Sequence, residues 1–192
     1  MKALEYEEHI ALDDSRVAVC GDWHGNVGWL RTLARVISAL APDVTTILQL
    51  GDWWLDPAVT DEIFADTNID RIYVTLGNHE PWSDITPLFD ANPASAVRVS
   101  TVTWLLSRPA RLTIAGRTVV SLGGAASVDR LWRINGAGWW PDETITENHV
   151  AAAIAGVPAD LMLMMALSEF PQSCSSEFLG SRGKVSAGWC RW

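Results

Sequence analysis

The sequence predicts an α/β domain, on three observations. Three short apolar runs, 16–20, 45–50 and 71–76, each lead directly into a polar Gly-Asp or Gly-Asn motif. Helical periodicity fills the stretches between them. The second half of the chain then turns β-rich. Strands alternating with helices argue for βαβ units and a largely parallel sheet.

The elements follow in order. Residues 1–15 are acidic and read as a leader, without the basic and apolar regions of a signal peptide. Residues 16–20 (RVAVC) read as a buried strand. Asn26 is placed to cap a helix in which Trp29, Leu30, Leu33, Val36, Ile37 and Leu40 share one face, with Arg31 and Arg35 on the other. Pro42 ends it. Residues 45–50 form a second strand, 58–65 a short helix and 71–76 a third strand. Residues 99–106 are β-rich. Residues 111–114 and 117–122 flank Ala115-Gly116 as a hairpin. Gly123-Gly124 breaks the chain, and 129–140, rich in Trp, Arg and Gly, reads as a long ordered loop. Thr144 with Glu147 fits a capping box that opens a helix through Ala155. Residues 159–165 read as a last buried strand. The domain thus spans 16–166. Residues 167–192 lose the alternating pattern and read as an atypical tail, the mark of C-terminal truncation or of a changed reading frame.

Composition narrows the function. A net charge of −9 argues against general nucleic-acid binding, which draws on Lys and Arg. An acidic protein acting on phosphate esters needs local positive charge, which bound metal ions supply. No apolar stretch approaches the roughly 18 to 20 residues that span a bilayer, so a cytoplasmic protein without membrane contact is expected. The cysteines, Cys20, Cys174 and Cys190, lack a metal-like spacing and imply no disulfide framework. Eleven tryptophans serve either as packing or as a stacking surface for sugars or bases.

The chemistry sits in three motifs, Gly21-Asp22-Trp23-His24-Gly25-Asn26, Gly51-Asp52-Trp53-Trp54 and Gly77-Asn78-His79-Glu80. Each follows a strand, and ligands of an open α/β sheet gather at the carboxyl ends of strands. Asp22 and His24, two apart on an extended segment, can point the same way. A carboxylate beside an imidazole suits Mn, Fe or Zn. Asp52 has two oxygens with which to bridge two ions, Asn78 offers an amide oxygen, and His79 can face the substrate and protonate a leaving alkoxide. Asp22, Asp52 and Asn78 are 30 and 26 residues apart.

In these motifs the chain resembles the calcineurin-like metallophosphoesterase family over roughly residues 16 to 165. The resemblance implies a four-layer β-sandwich flanked by helices, lacking its last strands here. It implies that Asp22 and His24 hold a first metal, that Asp52 bridges both metals, that Asn78 binds the second and that His79 is catalytic. It also marks two departures. Trp53-Trp54-Leu55-Asp56-Pro57 carries no phosphate-gripping arginine after Gly51-Asp52, unlike the family's protein phosphatases. Met165-Ala166 stands where a metal-binding histidine is expected, and no G-H-x-H follows. The remaining histidines, His9 and His149, read as surface or packing residues. Two divalent ions in the family therefore become one or none expected here. Asn26, Arg130 and Arg133 are candidate substrate contacts, with residues 136–140 bordering the cleft. The expected function is metal-dependent hydrolysis of phosphomono- or diesters by a metal-activated water, impaired in this chain. The alternatives are a non-catalytic relic or binding module on the same scaffold, and a tryptophan-lined carbohydrate or nucleotide binder.

Overall fold

The computed structural model describes residues 4–165. Two sheets pack face to face. The first has six strands, β1 (Glu5–Glu7), β3 (Ala18–Gly21), β4 (Thr46–Leu50), β5 (Arg71–Thr75), β6 (Ala96–Arg98) and β7 (Thr103–Leu105), in the order β1-β6-β7-β5-β4-β3. Its β3, β4, β5 and β7 run parallel, as βαβ crossovers require, while β6 and β1 close one edge antiparallel. The second has four strands, β2 (Ile10–Leu12), β8 (Ala110–Ile114), β9 (Arg117–Leu122) and β10 (Leu161–Met164), in the order β10-β9-β8-β2. The β8–β9 hairpin turns at Ala115 and Gly116, whose φ of 48° and 75° are the left-handed pair that a tight two-residue hairpin demands.

Strand alternation builds the layers. On β4, Ile47 faces the helices and Leu48 faces the second sheet; on β5, Ile72 and Val74 face the helices and Tyr73 the second sheet. Helices α1 (Val27–Leu40), α2 (Pro57–Phe64) and the single turn α3 (Trp82–Ile85) cover the first sheet. Helix α4 (Glu147–Ile154) covers the second, its Ala153 and Val150 packing on Val120 and Leu122 of β9. The result is the expected order of helices, sheet, sheet, helix.

Several expectations are corrected. The acidic segment 1–15 is not wholly outside the domain, since it supplies β1 to one sheet and β2 to the other. Short pairing partners sufficed, and the Glu-rich composition masked them. The buried stripe of α1 is Leu30, Ala34 and Ile37, whereas Trp29, Val36 and Leu40 are exposed. The apolar periodicity was broader than the face that packs. The last helix begins two residues later than Thr144 with Glu147 suggested. Thr146 is its cap, accepting the His149 N–H at 3.3 Å, while His149 Nδ1 accepts the Thr146 N–H at 3.2 Å. His149 therefore caps a helix, and His9 is exposed between β1 and β2. The tail expected over 167–192 lies outside the described residues. Among the described residues no helix is long and apolar enough to cross a membrane.

The two sheets are stitched at the end that carries the motifs. Thr75 Oγ1 and Ser121 Oγ share a buried hydrogen bond of 2.8 Å, and Gly124 N donates to Leu76 O at 2.6 Å. The carboxyl ends of β3, β4, β5 and β9 thereby converge on one rim.

Candidate metal centre

Backbone strain concentrates at that rim. Asp22, His24, Asp52 and Trp54 all have positive φ, between 44° and 55°. Non-glycine residues adopt such angles only where surrounding structure holds them, and they gather at functional sites. Here the hold is a ladder between two loops. Asp22 N donates to Gly51 O at 3.1 Å, His24 N to Asp52 O at 2.7 Å and Gly25 N to Trp53 O at 3.3 Å. Asp22 and His24 thus share a side because the backbone turns at each of them, and not because the segment is extended as expected from spacing.

The ladder brings Asp22, His24 and Asp52 together. One ligand atom from each lies within 4.8 Å of the others. His24 Nε2 stands 3.6 Å from Asp52 Oδ2, a spacing suited to two ligands of one ion at bond lengths of about 2.0–2.2 Å. The donor set of two carboxylates and an imidazole fits one divalent cation. Burial pushes the Asp52 carboxyl above its ordinary value, and the His79 amide and the nearby imidazoles of His79 and His24 pull it back. Cys20 lies on β3 below the rim, and burial pushes its thiol up to about 12.

The second ligand group is built by a buried chain of hydrogen bonds. Asn78 Nδ2 donates to Ser127 Oγ at 3.0 Å, Ser127 N donates to Glu143 Oε1 at 2.6 Å, and Glu143 Oε2 accepts Trp140 N at 3.3 Å. With its amide nitrogen committed to Ser127, Asn78 has its carbonyl oxygen left for a ligand. Asp52 Oδ1 accepts the His79 backbone N–H at 3.0 Å, so one oxygen of the supposed bridge is already engaged.

The floor is occupied by Met165. A Cβ on Gly51 would stand 2.8 Å from the Met165 sulfur, and one on Gly77 3.0 Å from it. A Gly77 side chain would also run into the Asp52 carboxylate. The missing side chain of Gly77 therefore leaves room for both a thioether and a carboxylate. A soft, neutral sulfur now sits where the resemblance puts an imidazole.

His79 stands beside the cluster. Its ring lies 5.6 Å from that of His24 and stacks at 6.5 Å and 28° on Trp54. Arg133 reaches it from the loop 129–140, with Nη1 2.9 Å from His79 Nδ1. Arg130 is exposed on the same loop. Asn26 is engaged by the helix that follows it. Its side-chain oxygen accepts Trp29 N at 3.0 Å and caps α1.

Four contributors carried no assignment in the sequence analysis: Glu80, Trp54, Ser127 and Glu143. Glu80 is fully buried and accepts the backbone N–H groups of Trp53 at 2.9 Å, Gly77 at 3.2 Å and Trp54 at 3.2 Å. Burial raises its carboxyl, and the three amides counter that. Its place inside the third motif was a usable signal. Ser127 and Glu143 had none, being joined to Asn78 only by the fold.

A model of the calcineurin-like phosphoesterase family matches residues 15–178, and the chain belongs to that family. Comparison with curated proteins gives no match. At the family level the protein is a metal-dependent hydrolase, with a candidate metal-binding group at Asp22, His24 and Asp52.

Proposed function

We propose that this protein hydrolyses phosphate esters with the help of one divalent cation, Mn, Fe or Zn, held by Asp22, His24 and Asp52. The observation that carries this reading is the convergence of those three side chains within 4.8 Å beside the His79 ring. When bound, a cation there supplies Lewis-acid charge and a water of lowered pKa. The protein's own residues do the rest. Asn78, its amide nitrogen held by Ser127, keeps its carbonyl oxygen as the donor atom left for a ligand. His79, whose backbone N–H is anchored on Asp52, presents its ring to donate a proton to the leaving oxygen. Trp54 stacks on that ring and limits its orientations. Arg133 is the substrate contact that the geometry favours among the three candidates, since Arg130 faces solvent and Asn26 caps a helix.

The test is metal binding and turnover measured together. Calorimetric titration with Mn or Zn should show one ion per chain, lost in Asp22→Asn and Asp52→Ala. Hydrolysis of p-nitrophenyl phosphate or bis-p-nitrophenyl phosphate with added Mn should depend on Asp52 and His79. His79→Ala should lower turnover by about 10²-fold or more and leave the ion bound. Binding of no ion, with no turnover, would favour a non-catalytic module on the same scaffold.

A further inference from the structure

Trp23, Trp53, Trp82 and Trp104 are buried and pack the two cores. Trp54 is different: it directly follows a buried tryptophan, yet it is 54% exposed. Its backbone stands at φ 46°, where a bulky residue is an outlier that only its surroundings can hold. Two contacts hold it. Glu80 Oε2 accepts the Trp54 N–H at 3.2 Å. Gly25 makes room for the Trp54 carbonyl, since a Cβ there would stand 2.8 Å from the oxygen. The loop of the second motif is therefore fixed in a strained form that sets a large aromatic side chain at the rim, half in water. Strain of this kind gathers where ligands bind.

The ring that meets this indole is His79, at a centroid separation of 6.5 Å and an angle of 28°. Aromatic pairs in contact span separations of about 4.5–7 Å, so His79 overlaps only part of the indole. The remainder is open beside the group that protonates the leaving oxygen. The alcohol part of an ester departs on the side of the acid that protonates it, and here that side is where Trp54 stands.

We propose that Trp54 is a specificity-determining residue whose exposed indole stacks on the leaving alcohol, selecting phosphate esters in which that alcohol carries a flat aromatic ring close to the ester oxygen. This rests on the phosphoesterase reading above, with His79 as the acid. A ring stacked on a ring gains more than its buried area alone, by about 2- to 10-fold in affinity. An aliphatic group of like size gains the area only.

The test uses two non-hydrolysable probes of like size, benzylphosphonate and cyclohexylmethylphosphonate, with the full chain and added Zn. Their acidities differ, so the quantity read is the ratio of their dissociation constants in wild type against the same ratio in each variant. Trp54→Leu keeps an apolar side chain and should cut the preference for the benzyl probe by about 2- to 10-fold. Trp54→Phe should restore most of it. In wild type the benzyl ring protons should also move upfield on binding, through the ring current of the indole, and Trp54→Leu should abolish most of that shift. An unchanged ratio in Trp54→Leu would overturn the proposal and leave Trp54 only as a support for the His79 ring. The upfield shift needs no variant, so its absence in wild type overturns the proposal even where Trp54→Leu fails to fold. So does failure of both probes to bind. Titration of the same wild-type sample with Zn and then inorganic phosphate separates the two failures: phosphate that binds the Zn-loaded chain leaves the phosphoesterase reading standing.

Discussion

The Glu80 carboxylate accepts the Trp53 backbone N–H at 2.9 Å, so the last residue of the third motif holds the loop of the second. Asp52 sits between these residues and the His79 amide. The ligand-bearing loops are therefore fixed to one another before any ligand arrives. Replacing Glu80 by Ala strands the N–H groups of Trp53, Gly77 and Trp54. The expected loss is about 3 kcal/mol or more, each buried orphan costing roughly 1–3 kcal/mol. Glu80→Gln keeps one acceptor oxygen and should lose less. Urea unfolding measures both, and a loss below about 1 kcal/mol for Glu80→Ala would contradict this role.

Met165 offers a direct test of the site's floor. Met165→His places an imidazole beside Asp52, where the sulfur now lies against Gly51 and Gly77. Affinity for Mn or Zn should rise by about tenfold or more, the usual weight of a well-placed partner at a metal site. Met165→Leu conserves volume and should leave affinity unchanged. If the leucine variant binds the ion more weakly, the thioether is itself a ligand and the account of the floor is wrong.

Asp61 on α2 should give the fold an acid limit. Burial opposes its ionisation, but hydrogen bonds from Ser100 Oγ at 2.7 Å, Thr101 N at 2.9 Å and Val102 N at 3.2 Å outweigh it and hold the carboxyl below its ordinary value. A carboxyl depressed in the folded state stabilises above its unfolded pKa, near 3.9, and the gain is lost as pH falls through the folded value. Asp61→Asn should therefore be destabilised most at neutral pH, and the gap to wild type should narrow below about pH 4. A gap independent of pH would show that the contact is not ionic.

Asn26 separates capping from substrate contact. Asn26→Ala should cost about 1 kcal/mol of stability through loss of the bond to Trp29 N, and Asn26→Ser should restore most of it. KM for p-nitrophenyl phosphate should stay within about twofold of wild type in both, a change worth less than roughly 0.5 kcal/mol. A larger rise in KM with unchanged stability would return Asn26 to the substrate.

The sequence by itself determined three of the four parallel strands of the first sheet, the hairpin at Ala115-Gly116 and the candidates Asp22, His24, Asp52, Asn78 and His79. These are local facts. Apolar runs, a turn that needs two left-handed residues, and polar motifs directly after strands leave their mark within a few positions. It also flagged Met165 as out of place. Only the tertiary structure decided the rest. The strands at 5–7 and 10–12 exist because distant partners, 96–98 and 110–114, pair with them. The exposed side of α1 became visible only once Leu30, Ala34 and Ile37 had packed on the sheet. Arg133 meets His79, and Glu143 reaches Asn78 through Ser127, across gaps of chain that no periodicity encodes. A hydrogen bond between side chains far apart in sequence needs two loops at one rim, and it is the packing of two sheets that brings them there.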